Sequence, residues 1–516
     1  MTKKDSINST NTDGKINATP LLFAVFIIAI CGIIYELIIG AISSYLLGDS
    51  VKQYSITIGL FMSAMGIGSY ITRRFKRNLF DVFVTIELLI GLIGGVSAVF
   101  LFAAYGYSNT YYIVMYGTII IIGILVGLEI PILTRIIEEN ENNLRLTIAN
   151  VLSFDYVGAL IGSVAFPLIL LPHLGHIKTS FFVGFINIMV ANIIIFKYAD
   201  YIKRIKLFKL LAIVFTGLIL LGFFTADQTA NRIENNLYRD QIIYRKQTKY
   251  QRMIVTKHRD DMRLFLNGNI QFSSQDEYRY HEALIHPAMS LTDNREKVLI
   301  LGGGDGLAAR EILKYGDVEK ITLVDLDPEV IDFCRSNPLI KGLNEASLDN
   351  EKLTIVNQDA YKFLDITDEL YNVIIVDLPD PNNESLNKLY TNVFYRLVYG
   401  RLAEGGMVSI QSTSPYYAEE SYWCIRKTVA SEGFFTTGHH VYVPSFGDWG
   451  FTLASKKDFD IKNIDITVPT QYLNNDIVQA LFVFGKDEMK KQDMVQINSL
   501  THPVLITYYQ KAWHSY

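Results

Sequence analysis

The chain has 516 residues, of which 50% are hydrophobic and only 19% charged, a balance more apolar than that of an average soluble domain. Its net charge of -5 argues against a nucleic-acid partner, which rewards a basic surface. Cys31, Cys334 and Cys424 stand far apart, pointing to neither a disulfide framework nor a zinc site, and no metal is expected. Two unlike halves are joined: from Phe80 to Leu133 the only charges are Asp81, Glu87 and Glu129, whereas from Asn231 onward acids and bases recur every few residues.

After a tail at 1–20, a membrane domain is expected over 21–226. Runs of about 18 or more apolar residues, enough to cross a hydrocarbon layer, occur near 21–47, 55–72, 80–104, 111–134, 147–171, 179–196 and 207–225. They predict an α-helical bundle of about seven spans, in which close-set glycines such as Gly158 and Gly162 let helices approach. The first run is too long for a cleaved signal peptide. Glu36, Glu87, Glu129 and Asp155 lie within or beside these runs. Acids there face the bundle interior and are candidates for binding a cation or proton, against a structural role in hydrogen bonding.

Loop charge supplies an orientation. Lys3, Lys4, Lys15, Arg73, Arg74, Lys76, Arg77, Arg135, Arg145, Lys197, Lys203, Arg204, Lys206 and Lys209 fall on the side of the N-terminus, and only Lys52 and Lys178 on the other. The basic side is cytoplasmic. A multi-pass protein of the cell membrane is expected, and seven spans would leave the C-terminal half outside the cytoplasm.

Residues 227–290 read as a linker and a β-rich subdomain, with Gly268 as a turn in LFLNGNIQF. From 291 to 465 an α/β domain is expected. A strand at Lys297–Leu301 leads into Gly302-Gly303-Gly304-Asp305-Gly306, a helix over 307–315, and a strand ITLVDLD ending at Asp327. This order opens a Rossmann-like unit, in which glycines admit a nucleotide-like ligand and an acid accepts from its ribose. Further βα units at 353–364, 371–381 and 405–411 predict a mostly parallel sheet with its ligand at the carboxyl ends. The tail 466–516 is read as helices packed on this domain.

The consecutive stretches LNGNIQFSSQDEYRYHEALIHP (266–287), VLILGGGDGLAAREILKY (298–315), VDLDPEVIDFCR (324–335), QDAYKFL (358–364), VIIVDLPDP (373–381), LYTNVFYRLVYGRLAEGGMVSIQ (389–411) and VPSFGDWGF (443–451) resemble, in order, the motifs of spermidine synthases. These are polyamine aminopropyltransferases, and the multi-span region resembles their membrane-bound branch. The resemblance implies a class I methyltransferase-type fold and transfer of an aminopropyl group from decarboxylated S-adenosylmethionine to putrescine, giving spermidine and methylthioadenosine. The donor is a co-substrate and no cofactor is implied. Soluble relatives assemble through their β-rich subdomain, which implies a homodimer through 241–273.

The chemistry demands carboxylates, because an amine is mostly protonated at neutral pH and must lose a proton before it attacks. The resemblance makes Asp377 the proton acceptor and Asp380 a polyamine anchor, with His281 and Gln411 on the polyamine side. Asp305, inside the glycine turn, would attract the donor's free ammonium and repel the carboxylate of intact S-adenosylmethionine; it also suits a helix N-cap. Asp325 stands where the family has a ribose-binding glutamate. Asp359 matches an adenine-contacting aspartate beside Ala360, Gln251 matches a glutamine near the thioadenosine, and Gly302, Gly303 and Gly304 complete the donor site. Asn382-Asn383-Glu384 replaces the family's Gly-Pro pair in the lid loop, and VPSFGDWGF lacks its Pro-Thr-Tyr. The alternatives are a membrane-anchored methyltransferase and a transporter or polyamine sensor with a non-catalytic domain.

Overall fold

The computed structural model describes residues 18–47, 50–107, 110–141, 143–238 and 240–513. Most of the expected 1–20 tail, with Lys3, Lys4 and Lys15, lies outside them. Two compact units divide between residues 239 and 240.

The first unit is helical: α1 (Thr19–Leu47), α2 (Ser50–Ile71), α3 (Leu79–Tyr107), α4 (Tyr111–Glu141), α5 (Leu144–Ala165), α6 (Leu171–Lys197) and α7 (Ile205–Tyr238). Among the described residues six helical stretches are long and apolar enough to cross a membrane, one of them the 54-residue run Leu144–Lys197. Within that run a π-helical turn at Phe166–Leu170 joins α5 to α6, and Gly175 breaks the helix at φ 67 and ψ -179.

Packing shows which way α1, α3, α5 and α6 run relative to one another. Gly158 and Gly162 sit where a Cβ would meet the carbonyls of Phe26 and Ile30, so α5 runs parallel to α1. Tyr35 lies against Gly94 and Tyr45 against Phe102, so α1 runs parallel to α3. Ser180 Oγ donates to Gly94 O at 2.7 Å while Asn187 Nδ2 donates to Glu87 Oε2 at 3.2 Å, so α6 opposes α3. The 54-residue run therefore holds two opposed helices that reverse near Gly175. Helix α7 continues to Tyr238, so the stretch from 227 that the sequence suggested as linker is helix.

The second unit begins with an antiparallel sheet in the order β1 (Gln241–Gln247), β2 (Arg252–His258), β3 (Asp261–Leu266) and β4 (Asn269–Ser273). There follow α8 (Glu277–Leu291), β5 (Lys297–Gly302), α9 (Leu307–Leu313), β6 (Lys320–Asp325), α10 (Pro328–Ser336), α11 (Pro338–Leu343), β7 (Leu353–Asn357), α12 (Ala360–Ile366), β8 (Tyr371–Asp377), α13 (Glu384–Asn387), α14 (Asn392–Arg401), β9 (Leu402–Gln411), α15 (Glu419–Ala430), β10 (Phe435–Val443), β11 (Gly447–Ser455), α16 (Asn475–Ala480) and α17 (Val504–Trp513). Seven strands form one sheet in the order β10-β11-β9-β8-β5-β6-β7. Its β9-β8-β5-β6-β7 portion is parallel, and β10 and β11 close one edge antiparallel. Val298, Ile300, Val373 and Ile375 point to one face and Leu299, Leu301, Ile374 and Val376 to the other, each set buried under its own layer, as a sheet covered on both sides requires.

The second strand differs from its sequence reading. It ends at Asp325, Leu326 is exposed, and Asp327 caps α10 by accepting from Glu329 N at 3.1 Å. A helix opening on Pro328 needs such a cap one residue before it, which takes Asp327 out of the strand. Among its described residues the tail holds two short helices, α16 and α17, linked by turns and irregular chain.

Candidate active site

The parallel strands bring their carboxyl ends together at β5, β6 and β8, the place where ligands bind in such sheets. Gly302 pairs in register with Asp377. It adopts φ 89, and a Cβ there would lie 1.9 Å from Asp377 O, so only glycine permits this crossing. Gly304 N donates to Asp325 Oδ2 at 3.1 Å, and a Cβ on Gly304 would fall 2.7 Å from that same oxygen. The glycine turn thus lies directly over two of the expected site acids.

Asp377, Asp305 and His281 form one electrostatic group. Asp377 Oδ1 accepts from the hydroxyl of Tyr280 at 2.6 Å. Burial raises the Asp377 carboxyl above its usual range, opposed by His281 and Tyr280. Burial also pushes Asp305 up to about 6, with His281 opposing and Asp377 adding to the rise; Asp305 Oδ1 accepts from Leu307 N at 2.9 Å at the start of α9. Buried His281 bonds through Nδ1 to Glu277 Oε2 at 2.8 Å. Burial alone would lower the imidazole, but Glu277 lifts it to about 9, so it is a cation at neutral pH.

Glu277 is held in turn by Arg310, whose Nη1 and Nη2 donate to its two oxygens at 2.7 and 3.0 Å. Although burial works to raise it, His281 and Arg310 keep Glu277 below the usual carboxylate range. A paired, doubly bonded buried carboxylate of this kind is a fixed charge.

On the other side of the D-L-P-D turn, Asp380 accepts from Gln411 Nε2 at 2.7 Å, from the Tyr509 hydroxyl at 2.9 Å and, more weakly, from Thr413 Oγ1 at 3.4 Å. Burial raises Asp380, and these three donors oppose the rise. The turn itself is pinned by Tyr390, whose hydroxyl faces Leu378 O and Pro379 O, each at 3.1 Å.

At the nucleoside side, Asp325 also accepts from Asp327 N at 3.0 Å and is raised by burial. Gln251 Nε2 and Thr248 Oγ1 donate to Asp327 Oδ2 at 3.1 and 2.6 Å, tying the small sheet to this corner. Asp359 accepts from Lys362 N as cap of α12, which starts at buried Ala360. Its other oxygen meets Lys388 Nζ at 2.5 Å; burial works to raise the carboxyl, but Lys388 holds it below its usual range. Lys388 follows the short helix α13, which Asn383 caps by accepting from Leu386 N at 3.0 Å, so Asn382-Asn383-Glu384 builds an ordered turn.

The residues that the sequence assigns to the transferase site therefore lie at one end of the seven-stranded sheet or on the segments bordering it, whereas Glu36, Glu87, Glu129 and Asp155 lie on helices of the first unit. Sequence reasoning missed Tyr280, Glu277, Arg310, Lys388, Thr413 and Tyr509. Tyr280 lies beside His281 within LNGNIQFSSQDEYRYHEALIHP. Tyr509 lies in the C-terminal tail, where its spacing gives no signal, because only the fold brings it to Asp380.

Residues 277–465 match the spermine/spermidine synthase domain. Over almost its whole length the chain is similar to polyamine aminopropyltransferases. That of Oceanobacillus iheyensis is 46% identical, covering 95% of this chain and 96% of that protein. That of Leptospira interrogans is 44% identical over 96% and 99%. A solved spermidine synthase in complex with the transition state analogue AdoDATO is 28% identical, covers 49% of this chain and 89% of its own, and superposes with a TM-score of 0.47.

Proposed function

The chain belongs to the polyamine aminopropyltransferase family, and from that premise we propose how its residues carry an aminopropyl group from decarboxylated S-adenosylmethionine to putrescine. The acceptor nitrogen attacks the propyl carbon bonded to the donor's sulfonium sulfur. The new C–N bond forms as the C–S bond breaks, its electron pair stays on sulfur, and neutral methylthioadenosine leaves with spermidine as the product.

Asp377 takes the proton that frees the acceptor's lone pair. Its raised affinity for protons brings it nearer the working pH, where a general base is most effective, and Tyr280 holds its other valence in place. Asp305 binds the ammonium of the donor's aminopropyl arm. His281, being a cation, does not attract an amine; it balances the negative charge of Asp305 and Asp377 so that both can ionise side by side. Asp380, with Gln411, Thr413 and Tyr509, receives the far ammonium of putrescine. Asp325 accepts from the ribose hydroxyls, Gln251 borders the thioadenosine, and Gly302, Gly303, Gly304 and Ala360 offer main-chain groups to the nucleoside. Asp359 would meet the adenine amino group in competition with Lys388.

The observation that carries this reading is the placing of three acids beyond the carboxyl ends of the adjacent strands β5 and β8, Asp305 after β5 and Asp377 and Asp380 at the end of β8, each with a different set of hydrogen-bond donors. Purified protein incubated with decarboxylated or intact S-adenosylmethionine, with methylthioadenosine and S-adenosylhomocysteine followed, tests it. Methylthioadenosine from the decarboxylated donor alone is expected. S-adenosylhomocysteine would indicate the methyltransferase, and binding of both substrates without product the sensor.

We read the helical unit as a multi-pass domain of the cell membrane, with seven passes because α5 and α6 are opposed. The basic loops then put the N-terminus in the cytoplasm and the transferase outside it. C-terminal fusions to a reporter active only in the cytoplasm and to one active only outside test this, and a cytoplasmic signal alone would overturn it. A homodimer through 241–273 is proposed from the same family; a monomeric mass in detergent, unchanged with concentration, would count against it.

A further inference from the structure

Four helices of the first unit send polar side chains to one level of its core. Glu87 on α3 and Glu129 on α4 are each 0% exposed, Tyr35 on α1 is 0% and Asn187 on α6 is 1%. Asn187 Nδ2 donates to Glu87 Oε2 at 3.2 Å. Glu87 Oε1, both carboxyl oxygens of Glu129, Asn187 Oδ1 and the Tyr35 hydroxyl are buried with no hydrogen-bond partner. The two carboxyl groups lie within hydrogen-bonding reach of each other, so a proton on one would bond the other, and both act on Tyr35 and on Cys31, one turn away on α1. Asp155 on α5, which is half-buried, acts on Glu129 from further off. Among the described residues neither glutamate forms an ion pair, and Asn187 is the neutral contribution of α6.

We propose that Glu87, Glu129, Asn187 and Tyr35 form a small-cation site in the core of the helical unit, at which a monovalent cation exchanges with a proton. Two carboxylates cannot share an apolar interior without positive charge, so the pair holds a proton, a cation or both. The donors are all oxygens, the set that suits hard ions. A magnesium ion keeps several waters and is poorly served by side chains that water does not reach. A polyamine would need an opening for its hydrocarbon stem, which groups at 0–1% exposure do not offer. A sodium-sized ion fits the donor set, and its entry releases the carboxyl proton, so that charge in the core is conserved. The site is independent of the transferase chemistry.

The test uses the full-length protein in detergent, weakly buffered with a pH-indicating dye, and titrated with sodium chloride or choline chloride at equal ionic strength. Sodium is expected to release protons saturably, in near-stoichiometric amount, and choline to release none. Glu87→Gln and Glu129→Gln should each abolish the release; Tyr35→Phe, which keeps both carboxyls, should need a higher sodium concentration for the same release. The proposal is overturned if the unmodified protein releases no protons, if choline or putrescine releases as many as sodium, or if the glutamine variants behave like the parent. Should either glutamine variant lose its size-exclusion profile, the sodium-against-choline contrast and Tyr35→Phe decide.

Discussion

The hydroxyl of Tyr509 donates to Asp380 Oδ2 at 2.9 Å across 129 residues of chain. It reaches from α17, near the C-terminal end of the described chain, to an acid at the centre of the sheet. With Gln411 and Thr413 it makes the surroundings of Asp380 unlike those of Asp377, where among the described residues the side-chain donor is Tyr280.

If Asp380 anchors the far amine of putrescine, Tyr509→Phe should raise KM for putrescine about tenfold or more, since a hydrogen bond to a charged group contributes roughly 1.5–3 kcal/mol. Donor affinity should not change. Steady-state kinetics with each substrate varied in turn would check this, and an unchanged KM for putrescine would remove Tyr509 from the acceptor site.

Asp377→Asn should cost about 10²–10⁴-fold in kcat, the usual range for a lost general base, while calorimetric binding of the donor persists. Tyr280→Phe should cost less and should shift the acidic limb of the kcat profile, because the phenol opposes the rise of Asp377. Near-normal turnover by the asparagine variant would refute the proton-acceptor role.

Asp305, at about 6, must be ionised to hold the donor's ammonium. Hence kcat/KM for the donor should climb as pH rises through about 6, and Asp305→Asn should flatten that limb while lowering discrimination against intact S-adenosylmethionine. Measured rates from pH 5 to about 8 with both proteins would decide, since a carboxylate in this range is displaced far from its ordinary titration.

His281 carries a stability signature of opposite use. Its proton is held more tightly folded, at about 9, than at the ordinary 6.5. The stabilisation is therefore fully present below pH 6.5 and is lost as pH rises through about 9. The Tm gap between the parent and His281→Gln should narrow over that interval; a gap that widens would contradict the assignment of a cationic imidazole.

Arg310 donates to Glu277 and Glu311 with all three buried. Arg310→Met should destabilise the transferase unit by about 3 kcal/mol, because two buried carboxylates each lose one of their cationic partners, Glu277 keeping His281 and Glu311 keeping His286 and Lys314. Thermal unfolding followed in the second unit would register it, and a loss under about 1 kcal/mol would mean that water replaces the guanidinium.

Properties that depend on short stretches of chain were readable before any fold was known. The apolar runs mark the existence of α1 to α7, since transfer into an apolar layer depends on local composition, but not all their ends, for α4 and α7 run on to Glu141 and Tyr238 and α6 begins at Leu171. The strand, glycine turn and helix from Lys297 to Leu313 follow from a short apolar run, a cluster of glycines and the apolar stretch after it, all read locally, whereas the closeness of Gly302 to Asp377 and of Gly304 to Asp325 belongs to the fold. Asp377 and Asp380 stood out because their spacing and position after an apolar strand already resemble a working pair. Tertiary packing decided everything that joins distant segments: Lys388 on Asp359, Glu277 on Arg310, Tyr509 on Asp380, and Glu87 beside Glu129. None of these pairs shares a period or a turn. Each exists because burying apolar faces brings two remote backbones together, and a side chain's partner is then set by what lies across the contact rather than by its neighbours in sequence.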